Sequence, residues 1–275
     1  MKPVDPILHG EAGAAETITL AKVLALKDIA WFWCAKAGLE GDGGEAGLAN
    51  LLTRVPGPVM QIGCHFYAGN ERILIDLDER FPWPTIFPNG NRGMPLALST
   101  WSRGFAALSS GIGRGGAEAA TLRLELAANM DLIERQMSDG RHFLQGAEAG
   151  LADFQAFGPM ASLLVRHGLI ANAVLKEFPS LPGWLKRLEA LGEGDKSATN
   201  PAETFAAMTD EACPEASNDG GRTLVSAAHI SKPGEEVLRG LLEPGGPSEI
   251  VVRHRLETGE TSIWHLSSLS FLLLS

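Results

Sequence analysis

Four residues able to hold or move a proton flank one short stretch near the start: His9, Glu11, Glu16 and Thr17. An acid or base such as Glu11, within hydrogen-bond reach of a ligand, suits isomerisation or elimination. The ordinary reading of Thr17 and Glu11 is a solvated or helix-capping side chain. The three cysteines, Cys34, Cys64 and Cys213, form no CxxC pair. An odd, sparse count fits a reducing cytoplasm better than a disulfide scaffold. Cys34 and Cys64 fall in or beside strands and read as small buried hydrophobes rather than nucleophiles. His65 alternates with Phe66 and Tyr67 and reads as a partly buried strand residue. His254 and His265 fall on facing strands, but no third ligand at a convincing spacing completes a metal site.

The elements that carry these residues belong to a chain of 275 residues, 45% hydrophobic and 20% charged. That length and balance suit a soluble globular protein of about two domains. A formal net charge of −10 argues against nucleic acid or anionic membrane as the main partner. No apolar run reaches the ~18 residues a membrane span needs. The opening residues show no signal-peptide core. These features together read as a cytoplasmic protein.

Three segments follow from the periodicity. Residues 1–88 alternate strand and helix signals: strands at 6–9, 29–34, 59–62 and 65–67, helices at 14–27 and 70–80, and a Gly-rich loop over 38–47 ahead of a short helix near 48–52. Gly63-Cys64 reads as a hairpin turn. Residues 89–193 are helical, with periodic segments at 94–108, 117–137, 151–167 and 181–191, as in an antiparallel bundle. Residues 194–275 open with a linker at 193–197 and a helix start at Asn200-Pro201. A small antiparallel β module follows, its last hairpin turning at Thr258-Gly259.

Within this frame, three stretches carry a resemblance. Pro58-Val59-Met60-Gln61-Ile62-Gly63 runs on to Gly69-Asn70-Glu71-Arg72-Ile73 and Leu77-Asp78-Glu79-Arg80-Phe81-Pro82. Gly140-Arg141-His142-Phe143-Leu144-Gln145-Gly146 precedes Leu151-Ala152-Asp153-Phe154. Leu24-Ala25-Leu26-Lys27-Asp28-Ile29 closes the first helix. In this order and spacing the chain resembles the glutathione transferases over about residues 6–192. The resemblance implies a thioredoxin-like α/β domain, a helical bundle, a glutathione site and a homodimer. The β module resembles one that some bacterial transferase-like proteins carry.

The resemblance also implies roles. Pro58 would follow a cis bond, leaving the Val59 backbone to pair with the cysteinyl backbone of glutathione. Asp153 would complement a helix N-terminus as a structural residue. Trp101 would line an apolar pocket for the electrophile. Departures fall on the chemistry. The family's Ser or Cys falls on Ala14, which offers only its backbone N–H to a thiolate. The family's acidic residue followed by Ser or Thr falls on Gly69-Asn70, so the γ-glutamyl end loses a carboxylate. At Gly150 the helix loses the family's hydroxyl cap. The expectation is a transferase joining glutathione to an apolar electrophile at a degenerate site. The alternatives are a non-catalytic ligand-binding protein, or a glutathione-independent isomerase or lyase.

Overall fold

The structure, a computed structural model, describes residues 5–36, 44–111, 117–210, 213–214 and 223–274. Most of the Gly-rich run expected as a loop lies outside these residues. The elements in chain order are β1 (Ile7–Gly10), α1 (Ala15–Leu26), β2 (Trp31–Ala35), α2 (Gly44–Arg54), β3 (Val59–Ile62), β4 (His65–Ala68), α3 (Asn70–Arg80), α4 (Gly93–Gly111), α5 (Ala117–Gln136), α6 (Leu151–Leu175), α7 (Leu181–Glu189), β5 (Lys196–Ala198), α8 (Pro201–Asp210), β6 (Leu224–His229), β7 (Glu236–Glu243), β8 (Glu249–Arg255), β9 (Thr261–Ser267) and β10 (Phe271–Leu274). They fall into two compact units. One gathers residues 1–11, 30–77 and 195–275, the other residues 12–29 and 78–194.

The first unit is built on one sheet, in the order β10-β6-β7-β8-β9-β4-β3-β1-β2-β5. Its thioredoxin-like part pairs β1 parallel to β2 and antiparallel to β3, and β3 antiparallel to β4. Ile62 faces His65 across a two-residue turn, as the hairpin signal implies. The C-terminal strands are antiparallel among themselves, but they are not a self-contained module. β9 pairs parallel with β4, placing Leu266 beside Ala68, so the sheet continues without a break. The stretch expected as a linker also joins the sheet. Lys196–Ala198 pairs with Trp31–Trp33, and the Lys196 ammonium lies 5.5 and 5.4 Å from the ring centroids of Trp31 and Trp33.

Period-2 alternation explains the core of this unit. Phe66, Trp264, Val252, Leu238 and Ala227 point to one face and pack with Leu48, Leu52 and Met208 from α2 and α8. Phe66 and Trp264 stack at 4.8 Å. Helix α8 starts as its sequence predicts. Asn200 Oδ1 accepts from the Glu203 N–H at 3.0 Å, and the Glu203 carboxylate accepts from the Asn200 N–H at 3.2 Å.

One cysteine expectation is corrected here. Cys64 is bonded to Cys213 across 149 residues. Linear spacing concealed the pair, because a strand turn and the segment after α8 meet only in the folded sheet. Cys34 is a buried free thiol, as expected. Burial, and secondarily the charge of Glu203, raises its pKa to about 11, which leaves it a poor nucleophile.

The second unit is helical. Gly158 on α6 lets α1 come close: a Cβ there would lie 2.3 Å from Thr19 Oγ1 and 2.4 Å from the Ala15 carbonyl oxygen. The Thr19 hydroxyl lies 3.0 Å from both the Ala15 and Phe154 carbonyl oxygens. Asp28 takes the left-handed conformation at φ 53° that closes α1. Lys27 is buried against Asp78 at 2.9 Å and donates to the carbonyls of Phe81 and Pro84 at 2.6 and 2.9 Å.

Asp153 is structural. Its carboxylate accepts from the N–H groups of Leu144 (2.8 Å) and Gly150 (3.1 Å) and from Trp184 Nε1 (2.8 Å). Burial raises its pKa to about 6 against the pull of those donors. The missing cap hydroxyl has a steric cause. A Cβ on Gly150 would sit 2.6 Å from Pro88 Cδ. Gly150→Ser is therefore expected to destabilise, by about 1–3 kcal/mol, and thermal unfolding of the variant checks this.

Candidate functional site

Ala14 is the N-cap of α1, with extended backbone (φ −69°, ψ 138°) and no side-chain cap hydrogen bond. The first N–H groups of a helix have no partner within it, and they favour negative charge. Gly13, at φ 75°, turns the chain into this position, and its carbonyl accepts from the Ser162 hydroxyl at 2.6 Å. A cavity of about 330 Å³ opens here, lined by Ala14, Ala15, Glu16, Arg103, Ser162 and Arg166 among others. The cavity thus gathers two guanidinium groups, one carboxylate (Glu16) and a helix N-terminus. Thr17 is buried in the same helix, and its Oγ1 has no hydrogen-bond partner. Glu11 is exposed in the other unit.

Trp101 does not line that cavity. It lines a second one, of about 510 Å³, with Met94, Leu98 and Leu132. Its indole N–H donates to Asn129 Oδ1 at 2.8 Å, and its ring packs on Phe105.

In the first unit, the expected cis bond before Pro58 is absent. Among the described residues the cis peptide bond is Trp83–Pro84, and Gly57–Pro58 is trans. Val59 is fully buried and flanked on both edges, by His9 on β1 and Ala68 on β4. It therefore offers no free sheet edge to an added strand. The turn ahead of it is held by Lys36, whose ammonium donates to the carbonyls of Val55 (2.7 Å) and Gly57 (2.6 Å).

Gly69 and Asn70 open α3. Gly69 has φ 87°, and a Cβ there would lie 2.8 Å from Ser267 Cβ and 3.4 Å from Ser270 Cβ. The turn between β9 and β10 thus lies where an acidic side chain would begin. Ser270 lies 3.2 Å from Glu71 Oε2, and Glu71 is buried. Asn70 Oδ1 is buried without a hydrogen-bond partner. Sequence reasoning missed Ser267 and Ser270, which stand almost 200 residues from Gly69. It also missed the charge that Arg103 and Arg166 bring from separate helices to Ala14. No local pattern links these positions.

His254 and His265 do fall on paired strands, β8 and β9, but not opposite each other. His254 faces Ser262 and lies 2.7 Å from the Arg239 carbonyl, whereas His265 faces Val251. His265 Nε2 instead lies 3.0 Å from His65 Nδ1 on β4, and its Nδ1 lies 3.4 Å from Glu249. Tyr67 stacks on His265 at 4.6 Å, and Arg72 lies 3.5 Å from the Glu249 carboxylate. Burial, then His65 and Arg72, lower the His265 pKa to about 4 against the opposing effect of Glu249. His9, paired with Gln61 at 2.9 Å, is likewise lowered to about 4, chiefly by burial. Both are neutral at physiological pH, whereas an unfolded histidine protonates near 6.5. The unfolded chain therefore binds more protons between pH 6.5 and 4, and stability falls as the pH is lowered through that window. His265→Gln is expected to recover up to about 3 kcal/mol of that loss, measured as denaturant midpoints at pH 7 and pH 4.5.

No family model matches the chain, and no curated protein matches it. Solved structures do. A GST-like protein from Pseudomonas syringae superposes with a TM-score of 0.81 at 20% identity, covering 98% of this chain and 99% of its own. Rice GST1 in complex with glutathione gives 0.55 at 18% identity over 76% of this chain and 98% of its own. A glutathione transferase family member from Pseudomonas fluorescens, with two glutathione molecules bound, gives 0.55 at 12% identity over 74% and 94%. The likeness to rice GST1 leaves about a quarter of this chain unmatched, whereas the P. syringae protein covers nearly all of it. The chain has the fold of the glutathione transferases, extended by C-terminal β strands.

Proposed function

We propose that this protein is a glutathione-transferase-like enzyme whose thiol-activating group is the N-terminus of α1 together with Arg103 and Arg166. The observation that supports the reading is the cavity beside Ala14, which holds two guanidinium groups and a helix N-terminus. A glutathione thiolate there is stabilised by fixed donors without a Ser, Cys or Tyr side chain. The same charges favour an electrophile that is anionic or becomes so during addition, in place of the wholly apolar one the resemblance implies. The proposal includes a homodimer and a cytoplasmic location. In a reducing compartment the Cys64–Cys213 bond would be open.

Calorimetric titration with glutathione tests the reading, with the absorbance of bound thiolate at 240 nm followed against pH. Saturable binding at millimolar Kd or tighter is expected, with a thiol pKa that rises when Arg166 is replaced by Met. Absence of binding overturns the reading.

One observation favours a second reading. With Ser267 2.8 Å from a Gly69 Cβ, the position of the lost carboxylate is filled by the chain itself. This suits a protein that does not use glutathione: a non-catalytic ligand binder, or an isomerase or lyase with Glu11 as base. Glu11→Gln would then abolish turnover with glutathione absent.

A further inference from the structure

The two sulfurs of the Cys64–Cys213 bond are not equally placed. Cys64 is fully buried in the turn between β3 and β4, whereas Cys213, beyond the end of α8, is only half-buried. A thiolate in solution therefore reaches one sulfur and not the other. The third cysteine does not compete. Cys34 is buried, and its thiol stays protonated at neutral pH.

Neither sulfur depends on the bond for its place. The Cys64 carbonyl accepts from the Ile263 N–H at 2.9 Å, which pins the turn to β9. On the other side, Arg253 Nη1 donates to the Pro214 carbonyl at 2.9 Å, and Arg253 Nε is itself held by Glu243 at 2.7 Å. Helix α8 is fixed by its capping pair, Asn200 and Glu203, and by the Thr204 carbonyl, which accepts from Gln61 Nε2 at 2.8 Å. Once opened, the sulfurs thus stay neighbours, and the Cα separation of 5.8 Å suits closure. The open form also has a seat for the thiol. Cys213 Sγ lies 3.2 Å from the Thr261 carbonyl oxygen, an acceptor for its S–H.

We propose that Cys213 is a site of reversible thiol–disulfide exchange with small cellular thiols, and that Cys64 is its resolving partner. In the reducing direction a thiolate such as that of glutathione attacks Cys213 Sγ. The S–S bond breaks, Cys213 carries the mixed disulfide, and the electron pair leaves with Cys64, which takes a proton. A second thiolate removes the adduct as glutathione disulfide and leaves Cys213 reduced. In the oxidising direction the Cys213 thiolate attacks glutathione disulfide and releases one glutathione. Cys64, giving up its proton, then attacks Cys213 Sγ and expels the second. The bond is open under reducing conditions and closes under oxidative load, tying the chain after α8 to the β3–β4 turn. Glutathione is only the redox partner here, so the proposal does not depend on a glutathione site at Ala14.

The test equilibrates the folded full chain in buffers of graded glutathione to glutathione disulfide ratio, with acid quenching, alkylation and peptide mapping by mass spectrometry. The wild type is expected to pass reversibly between bonded and dithiol forms without denaturant. Cys64→Ser, lacking the resolving thiol, should accumulate glutathione on Cys213 to about tenfold the wild-type level. Cys213→Ser should leave Cys64 unmodified. If circular dichroism shows that Cys64→Ser does not fold, Cys64→Ala takes its place. Cysteine and cystine replace the glutathione pair in a parallel series, with the same pattern expected. A bond that opens only in urea is a static crosslink and overturns the proposal. So does a bond that forms at no ratio, or an adduct on Cys64 in Cys213→Ser as abundant as that on Cys213 in Cys64→Ser.

Discussion

Lys27→Met is expected to cost about 3–5 kcal/mol of stability, because it strands a buried carboxylate. The Lys27 and Asp78 side chains are 0% and 2% exposed. The ammonium has three donors and meets three acceptors: Asp78 Oδ1 and the carbonyls of Phe81 and Pro84. Asp78 also accepts from the Ile86 N–H at 3.0 Å and the Thr85 hydroxyl at 3.2 Å. Removing the lysine leaves two carbonyls without a donor, and the Asp78 charge keeps only the exposed Arg92 guanidinium, 3.6 Å away. Asp78→Asn should cost less, since an amide keeps an acceptor for Ile86. The double variant Lys27→Met, Asp78→Leu should be more stable than Lys27→Met alone. Urea unfolding of the three proteins checks the order, and equal midpoints for the single and double variants would refute the ion-pair account.

The second large effect concerns the Cys64–Cys213 bond. Opening it by Cys213→Ser is expected to cost about 2–4 kcal/mol, because the closed loop is long and its release enlarges the unfolded ensemble. Thiol titration in denaturant should find one reactive group per chain, Cys34, before reduction and three after. Three before reduction would show that the bond does not form in the purified protein. Either result describes the purified protein in air, whereas in the reducing compartment proposed above the bond would be open.

Much of the local structure was legible. Helix α3 runs from Asn70 to Arg80 as its periodicity predicts, and α8 begins with the capping residues its sequence displays. Alternation and the Thr258-Gly259 turn read the C-terminal part as a small antiparallel β module, but β10, an unbroken Phe271–Leu274 run, has no alternation to read. Pairings between distant segments were not legible. β5 looked like a linker because three exposed residues carry no pattern. The same limit applies to the candidate site. Ala14 and Gly69 were recognisable as departures from a family pattern, but the residues that occupy or charge those places arrive from remote positions. Glycines were misleading in both directions: Gly150 looked like a poor cap and is a steric necessity against Pro88.

The pairing of β5 with β2 and of β9 with β4 has a consequence during synthesis. The four strands made first have both lateral edges open until the last part of the chain arrives. From Ala68 to Lys196 a ribosome needs on the order of ten seconds, and β9 follows later still. Throughout that interval the nascent chain presents two bare rows of amide and carbonyl groups, a template for pairing with the wrong neighbour. Nascent chains stalled before residue 196 should therefore recruit holding chaperones, and completion of the tail should release them.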